Sequence, residues 1–419
     1  MSVFLPGAPV PIVFQDSGII SPFGRLKIST AQSIFTSSQQ YGDDPTVWES
    51  AFVGTGANTF LPNESTIQMT TGGTGSTASC IRQTRLYHRY TPGHDQTILM
   101  TFVMDGGATI TNNTRRVGYF DANNGIFLEV AGTTVSLCQR TDTSGTPSDA
   151  AKIAQASWNI DTFGAGALNP SGLTINWSKA QILYIDLQWL GVGRVRIGFD
   201  INGIFYPAHY FENANNLTTV YMTTANLPCR LENFNTGTAS GTATLRHICS
   251  SVSTDGGAEQ AYGHQYAYNN GPSGLAISSG ATVPVISVQA KTTGPNSVRN
   301  TGQICIEQYD IFINSLNAIF WQLVLNPTLT GASFASYGTN SIAQVDHSAT
   351  TTSGGTVLDA GFLSGSSSAK GSAIQQADIK QLILAYSGLL NYQDTMTLVC
   401  TAVGGAANAV CNLQWLELW

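Results

Sequence analysis

The chain has 419 residues and a net charge of −7, with only 10% Asp, Glu, Lys and Arg against about a quarter in ordinary soluble domains. That balance opposes a general nucleic-acid binder, which is normally basic, and no apolar run approaches the ~20 residues that span a bilayer. Two domains are expected at this length, and low charge with abundant Gly, Ser, Thr and Asn suits a surface partly covered by neighbouring subunits.

Residues 1–60 are rich in Pro, Gly and Ser and read as an extended N-terminal arm. Met1–Phe14 lacks the basic start and apolar stretch of a signal peptide. Phe4, Leu5, Ile12, Val13 and Phe14 are apolar but have no helical period, so they are expected to dock the arm on its own domain or on a neighbouring subunit. Phe23–Ile28 is a short strand candidate within it.

Strand signals become frequent from Thr66. Arg82–Tyr90, Thr97–Met104, Arg116–Phe120, Gly125–Val130 and Thr134–Gln139 lie between Gly, Asn or Asp turns. After a Gly- and Ala-rich loop over Thr141–Asn176, the chain writes a three-strand meander. Leu183, Ile185, Leu187 and Trp189 alternate with Tyr184, Asp186 and Gln188, which face the other way. Val195, Ile197 and Phe199 follow, and Asn202-Gly203 supplies the positive-φ pair of a type I′ turn. The spacing predicts an antiparallel jelly-roll or lectin-like sandwich over 61–255 and a linker over 256–280.

A second series predicts a C-terminal β-sandwich over 281–419: Val283–Lys291, Gln303–Ile313, Ile319–Leu325, Ser341–Asp346, Thr356–Phe362, Thr395–Ala402 and Val410–Trp419. One helix is expected, Ser372–Leu384, with Ser372 as its N-cap. The fold class is therefore all-β.

The seven cysteines are scattered and lack CxxC spacing, which predicts buried, reduced thiols rather than disulfides or a zinc site. Asp121-Ala122-Asn123-Asn124-Gly125 has the start of a calcium loop but no Glu at the twelfth position, and reads as an Asx-rich turn. No metal or cofactor is expected.

One basic island stands out in this charge-poor chain, running Arg82-Gln83-Thr84-Arg85-Leu86-Tyr87-His88-Arg89-Tyr90. Arg82, Arg85 and His88 have the chemistry of an anion subsite, and Tyr87 and Tyr90 that of a sugar-stacking platform. The competing reading is that they pin a strand to the arm or to an adjacent subunit. Tyr119, Trp158 and Trp177 are further candidates for stacking on a glycan. Glu129, Asp161, Asp186, Asp200, Glu212 and Glu232 include no pair that the sequence marks as a glycosidase dyad.

Several runs together resemble a recurring type of virion structural protein from tailed bacteriophages. They include Phe23-Gly24-Arg25-Leu26-Lys27-Ile28-Ser29, Arg116-Val117-Gly118-Tyr119-Phe120-Asp121 and Asn124-Gly125-Ile126-Phe127-Leu128-Glu129. The longest is Asp186-Leu187-Gln188-Trp189-Leu190-Gly191-Val192-Gly193-Arg194-Val195-Arg196, and Asn326-Pro327-Thr328-Leu329-Thr330-Gly331 adds to it in the second half. The resemblance implies a non-enzymatic exterior component, a capsid decoration, fibre or tail appendage, assembled in the host cytoplasm as a homo-oligomer such as a trimer. Its partners would be other virion proteins. A glycan-binding host-attachment adhesin is the alternative, and a capsular polysaccharide depolymerase stands third.

Overall fold

The computed structural model describes residues 21–22, 31–73, 75–255, 263–365, 372–375 and 383–419. Its regular elements there are antiparallel strands and two 3-10 turns, Gln155–Ser157 and Pro295–Ser297. Among the described residues no helix is long and apolar enough to cross a membrane. The chain divides into two compact units, Met1–Thr84 with Tyr90–Glu259, and Arg85–Arg89 with Gln260–Trp419.

The first unit holds two sheets, with strands numbered along the chain. The eight-stranded sheet runs β13 (Ile204–Phe211), β12 (Val195–Ile201), β11 (Gln181–Leu187), β6 (Gln96–Asp105), β15 (Thr244–Asp255), β4 (Thr66–Thr70), β3 (Ala57–Leu61). β1 (Ala31–Ser38) pairs with the second half of β15, Ala31 opposite Asp255. The seven-stranded sheet runs β10 (Ser148–Ala154), β9 (Thr134–Thr141), β8 (Gly125–Ala131), β7 (Asn113–Phe120), β14 (Cys229–Asn235), β5 (Ser79–Thr84), β2 (Trp48–Val53).

Period-2 alternation builds the core between them. Every second residue of β6 is buried, and Ile98, Met100, Phe102 and Met104 join Val117, Leu128, Leu137, Leu183 and Ile197 in one cluster. Each such side chain contributes about 1.5–3 kcal/mol on burial. The meander closes as its sequence requires: Asn202 has φ 55° and Gly203 φ 82°, joining β12 to β13.

The second unit repeats the two-layer plan. One six-stranded sheet runs β16 (His264–Asn269), β31 (Ala407–Leu418), β19 (Gln303–Ile313), β26 (Ser372–Gln375), with β17 (Leu275–Ile277) on β31 and β27 (Ile383–Leu384) on β19. The other runs β22 (Ala335–Ser336), β23 (Ala343–Asp346), β18 (Thr282–Ala290), β30 (Thr395–Val403), β20 (Ala318–Leu325), β25 (Thr356–Leu363). Two ribbons, β21 (Thr328–Thr330) with β24 (Thr351–Ser353) and β28 (Tyr386–Ser387) with β29 (Tyr392–Gln393), complete it. Ile306, Ile311, Trp321, Leu398, Leu413 and Trp415 lie in its core.

The structure departs from the sequence reading in five places, one of them the linker expected over 256–280, where His264–Asn269 and Leu275–Ile277 pair with β31. The helix expected over Ser372–Leu384 is absent where described: Ser372–Gln375 pairs as a strand with Tyr309–Phe312, so the free edge of β19 overrides a weak local helix pattern. Residues 31–60, read as part of the arm, supply β1, β2 and all but the last residue of β3, because β15, β5 and β4 offer them partners. The run Arg82–Tyr90 is a strand only to Thr84. Ser148–Ala154, assigned to a loop, pairs with β9. The arm residues Phe4, Leu5, Ile12, Val13 and Phe14 and the strand candidate Phe23–Ile28 lie outside the described residues.

Candidate functional site

The basic island does not form one site. Arg82 points into the first unit with no exposure, donates to Gln39 Oε1 at 2.9 Å, pairs with Asp43, and lies 4.7 Å over the Trp48 ring. Its Nε is 3.5 Å from His247 Nδ1, and burial together with Arg82 holds that imidazole far below its usual range. Arg85, Tyr87 and His88 belong to the second unit. Arg85 pairs with Asp394 at 2.6 Å, while the Arg299 guanidinium lies 5.1 Å over the Tyr87 ring and donates to its hydroxyl. Burial pushes His88 down to about 3, a poor value for a base working near neutrality.

The proposed stacking rings are interior. Trp158 and Trp177 pack on Phe199 at centroid distances of 6.3 and 5.6 Å, and their indole N–H groups donate to Ile153 O and Gln155 Oε1. Tyr87, Tyr90 and Tyr119 are buried as well, Tyr119 donating to Ala225 O at 3.1 Å. A buried ring offers no face to a sugar, so the expectation that these residues contact glycan is corrected. Asp121 behaves as an Asx turn, its Oδ1 accepting from the N–H groups of Asn123 and Asn124 at 2.7 and 2.8 Å.

A denser charged cluster lies on the face of the seven-stranded sheet turned away from the core. Strand register sets Arg116 between Glu129 and Glu232. Its guanidinium donates to them at 2.7 and 3.0 Å and lies 5.4 Å over Phe127. Arg230 donates to Glu232 at 2.7 Å and to Gln83 at 2.6 Å, and Gln83 donates to Glu49 at 2.7 Å. Lys152 pairs with Glu129, and Arg140 with Asp149 at 2.7 Å. Burial alone would raise the Glu232 carboxyl, but Arg230 and Arg116 hold it below the ordinary carboxylate range. A glycosidic bond is broken by a carboxylic acid of raised pKa facing open space. Here both Glu129 and Glu232 are paired with one guanidinium.

The outward face of the eight-stranded sheet is different. Strands β1, β15, β6 and β11 together line an open groove of about 480 Å³. Register places Ser38, Cys249 and Thr101 in one row and Thr36, Ser251 and Leu99 in the next. Alternation sends their side chains outward while Met100 and Val252 point into the core. Leu99 and Ile182 give the groove an apolar floor, and no charged side chain lines it among the described residues.

The Leu99 row continues to Tyr184 and then to Gly198. A Cβ on Gly198 would meet Tyr206 O at 2.2 Å and the Phe205 ring at 2.7 Å. Glycine there leaves room for Phe205 to stack on Tyr184, with centroids 4.1 Å apart and rings inclined by 33°. Both rings are half-buried. Sequence reasoning placed Tyr184 on the outward face of the meander but did not connect it to Leu99 and Thr101, more than 80 residues earlier in the chain.

The chain matches no protein-family model, and no curated protein is similar to it in sequence. Solved structures with a partly similar course include the carbohydrate recognition domain of Emp47p, at 8% identity and TM-score 0.32, over 53% of this chain and 96% of that one. A carbohydrate esterase from the Shiga toxin-encoding bacteriophage phi24B aligns at 8% identity and TM-score 0.33, over 54% of this chain and 100% of its own. The exoplasmic/lumenal domain of VIP36 aligns at 9% identity and TM-score 0.31, over 55% and 92%. These likenesses are distant and transfer no residue roles.

Proposed function

We propose that the chain is a non-catalytic glycan-binding protein whose first unit holds a neutral glycan in the groove across β1, β15, β6 and β11. One observation carries this reading: an uncharged, hydroxyl-rimmed groove with an apolar floor, bordered by the Tyr184–Phe205 ring pair. Sugars present C–H faces to rings and hydroxyls to polar partners; the lining offers the polar partners and the bordering Tyr184–Phe205 pair the rings. It gives no counter-charge for a uronate or sialate carboxylate, which favours neutral sugars. The carboxylates of the opposite sheet are held in ion pairs, which supports binding without hydrolysis.

A glycan array followed by calorimetry tests the proposal. Neutral oligosaccharides should bind, and Tyr184→Ala with Thr101→Val should weaken them by about tenfold or more. The exposed thiol of Cys249 supplies a second readout, because bound glycan should slow its alkylation. No binding above background on the array would end the proposal, and reducing-sugar release from a capsular polysaccharide would overturn its non-catalytic half.

We propose further that this binding serves an oligomeric exterior component of a tailed-phage particle. The support is the set of sequence runs that resemble such proteins and the low content of charged residues. Mass spectrometry of purified particles decides it: presence in the lysate with absence from intact virions would reject the placement.

A further inference from the structure

The second unit carries a ring cluster that the groove does not use. β16 sets His264 opposite Glu417 and Tyr266 opposite Trp415, so both rings share the core-side face of their sheet at its edge. Trp415 is fully buried, Tyr266 half-buried, His264 exposed, and Trp419 47% exposed. The rings form a ladder along that gradient: Trp415 to Tyr266 at 6.0 Å, Tyr266 to His264 at 6.5 Å, and His264 to Trp419 at 5.1 Å. The two outer steps are nearly parallel, at 28° and 29°.

The inner rungs are fixed from the side. Tyr266 donates its hydroxyl to Asn340 O at 3.1 Å and Tyr337 donates to Ala267 O at 2.7 Å, with Tyr337 set 5.2 Å from Tyr266 and 5.0 Å from Trp415. With those hydroxyls committed to the main chain, Tyr266 and Tyr337 have little freedom left to lose on binding. Of the seven tryptophans, Trp419 alone is exposed; Trp189 is half-buried and the rest are buried.

The geometry points to a second glycan site in this unit, at which a neutral pyranoside stacks on Trp419 beside His264. An indole anchored through a ring ladder to the core is a pre-organised platform for the C–H face of a sugar, and the neighbouring imidazole supplies a hydrogen-bonding group for its hydroxyls. A proline-rich peptide, the other common ligand of aromatic surfaces, needs open slots between rings. Here successive rings are inclined by 28–38°, and among the described residues the exposed ring at the end of the ladder is Trp419. The site is separate in residues from the groove of the first unit and does not depend on it.

Because Trp419 is the exposed indole, acrylamide quenching of the full chain reads it selectively. A panel of neutral oligosaccharides should protect part of the emission from quenching. Trp419→Phe should remove the quenchable component, His264→Ala should raise the protecting concentration about tenfold, and Tyr184→Ala should leave protection unchanged. Three outcomes overturn the site: no oligosaccharide protects the wild-type chain, a proline-rich peptide protects it instead, or Tyr184→Ala abolishes protection and traces the signal to the groove. Glycan-array binding that persists in Trp419→Phe and is lost in Tyr184→Ala would leave the first site standing without the second.

Discussion

Arg116 satisfies two carboxylates from neighbouring strands while its flat face covers Phe127. Truncating it leaves Glu129 and Glu232 facing one another with less counter-charge, and Arg116→Ala should cost about 3–5 kcal/mol. Urea unfolding measures this, and a loss below about 1 kcal/mol would show that the pairing is dispensable. Arg116→Lys should recover only part, since one ammonium cannot make the forked contact. Three imidazoles give the pH dependence. Burial pushes His88 down to about 3 and His209 to about 4, and His247 lies well below its usual 6.5. Below that 6.5 the unfolded chain takes up protons that the folded chain refuses. Their contribution is therefore complete above pH 6.5 and drains as pH falls toward 3 for His88 and 4 for His209. Glu232, held below its ordinary 4.5, adds a loss that begins as pH falls below 4.5. Urea midpoints should fall steadily from pH 7 to pH 4.5, and a flat profile would contradict the burial of these rings.

At the scale of elements, Gly198 couples a strand to the groove. Gly198→Ala should displace Phe205 from Tyr184, cost about 1–3 kcal/mol through overpacking, and weaken glycan binding together with stability. Trp158→Ala should behave oppositely: about 3–5 kcal/mol of stability is lost from the buried aromatic cluster, while glycan affinity of the folded protein is kept. Equal loss of affinity in both variants would mean that binding follows stability alone. Elements with a strong two-residue period, β6, the β11–β13 meander and β19, were legible from local sequence. Ser372–Gln375 was not, because its strand state comes from the edge of β19 rather than from its own pattern. Tyr87, Tyr90, Trp158 and Trp177 were misread for a related reason. Aromatic identity is visible in sequence, but burial depends on which distant strands lie over the ring.

At the scale of the molecule, the all-β two-layer plan was legible because turns and alternation recur along most of the chain. The membership of Arg85–Arg89 in the second unit was not, since Arg85 meets Asp394 at a separation of 309 residues. A fragment of residues 263–419 lacks that ion pair, the Arg299–Tyr87 contact and the bond from Gln303 to Tyr87 O at 2.7 Å. Calorimetry should find it less stable than the same unit in the full chain by about 1–3 kcal/mol. Identical melting of the fragment and the intact unit would show that the five residues contribute nothing.

The same five residues set an order in time. A ribosome adding about 5–20 residues per second releases Arg85–Arg89 roughly 15–60 seconds before Asp394. During that interval the contacts of Tyr87 with Arg299 and Gln303 become available before the ion pair of Arg85 with Asp394. The first unit has a complete set of strands once β15 has emerged, whereas the second must wait for β31, at the end of this sequence, to pair with both β16 and β19. Nascent chains stalled before residue 394 should therefore show protease cleavage at Arg85 and Arg89, and released full-length chains should not.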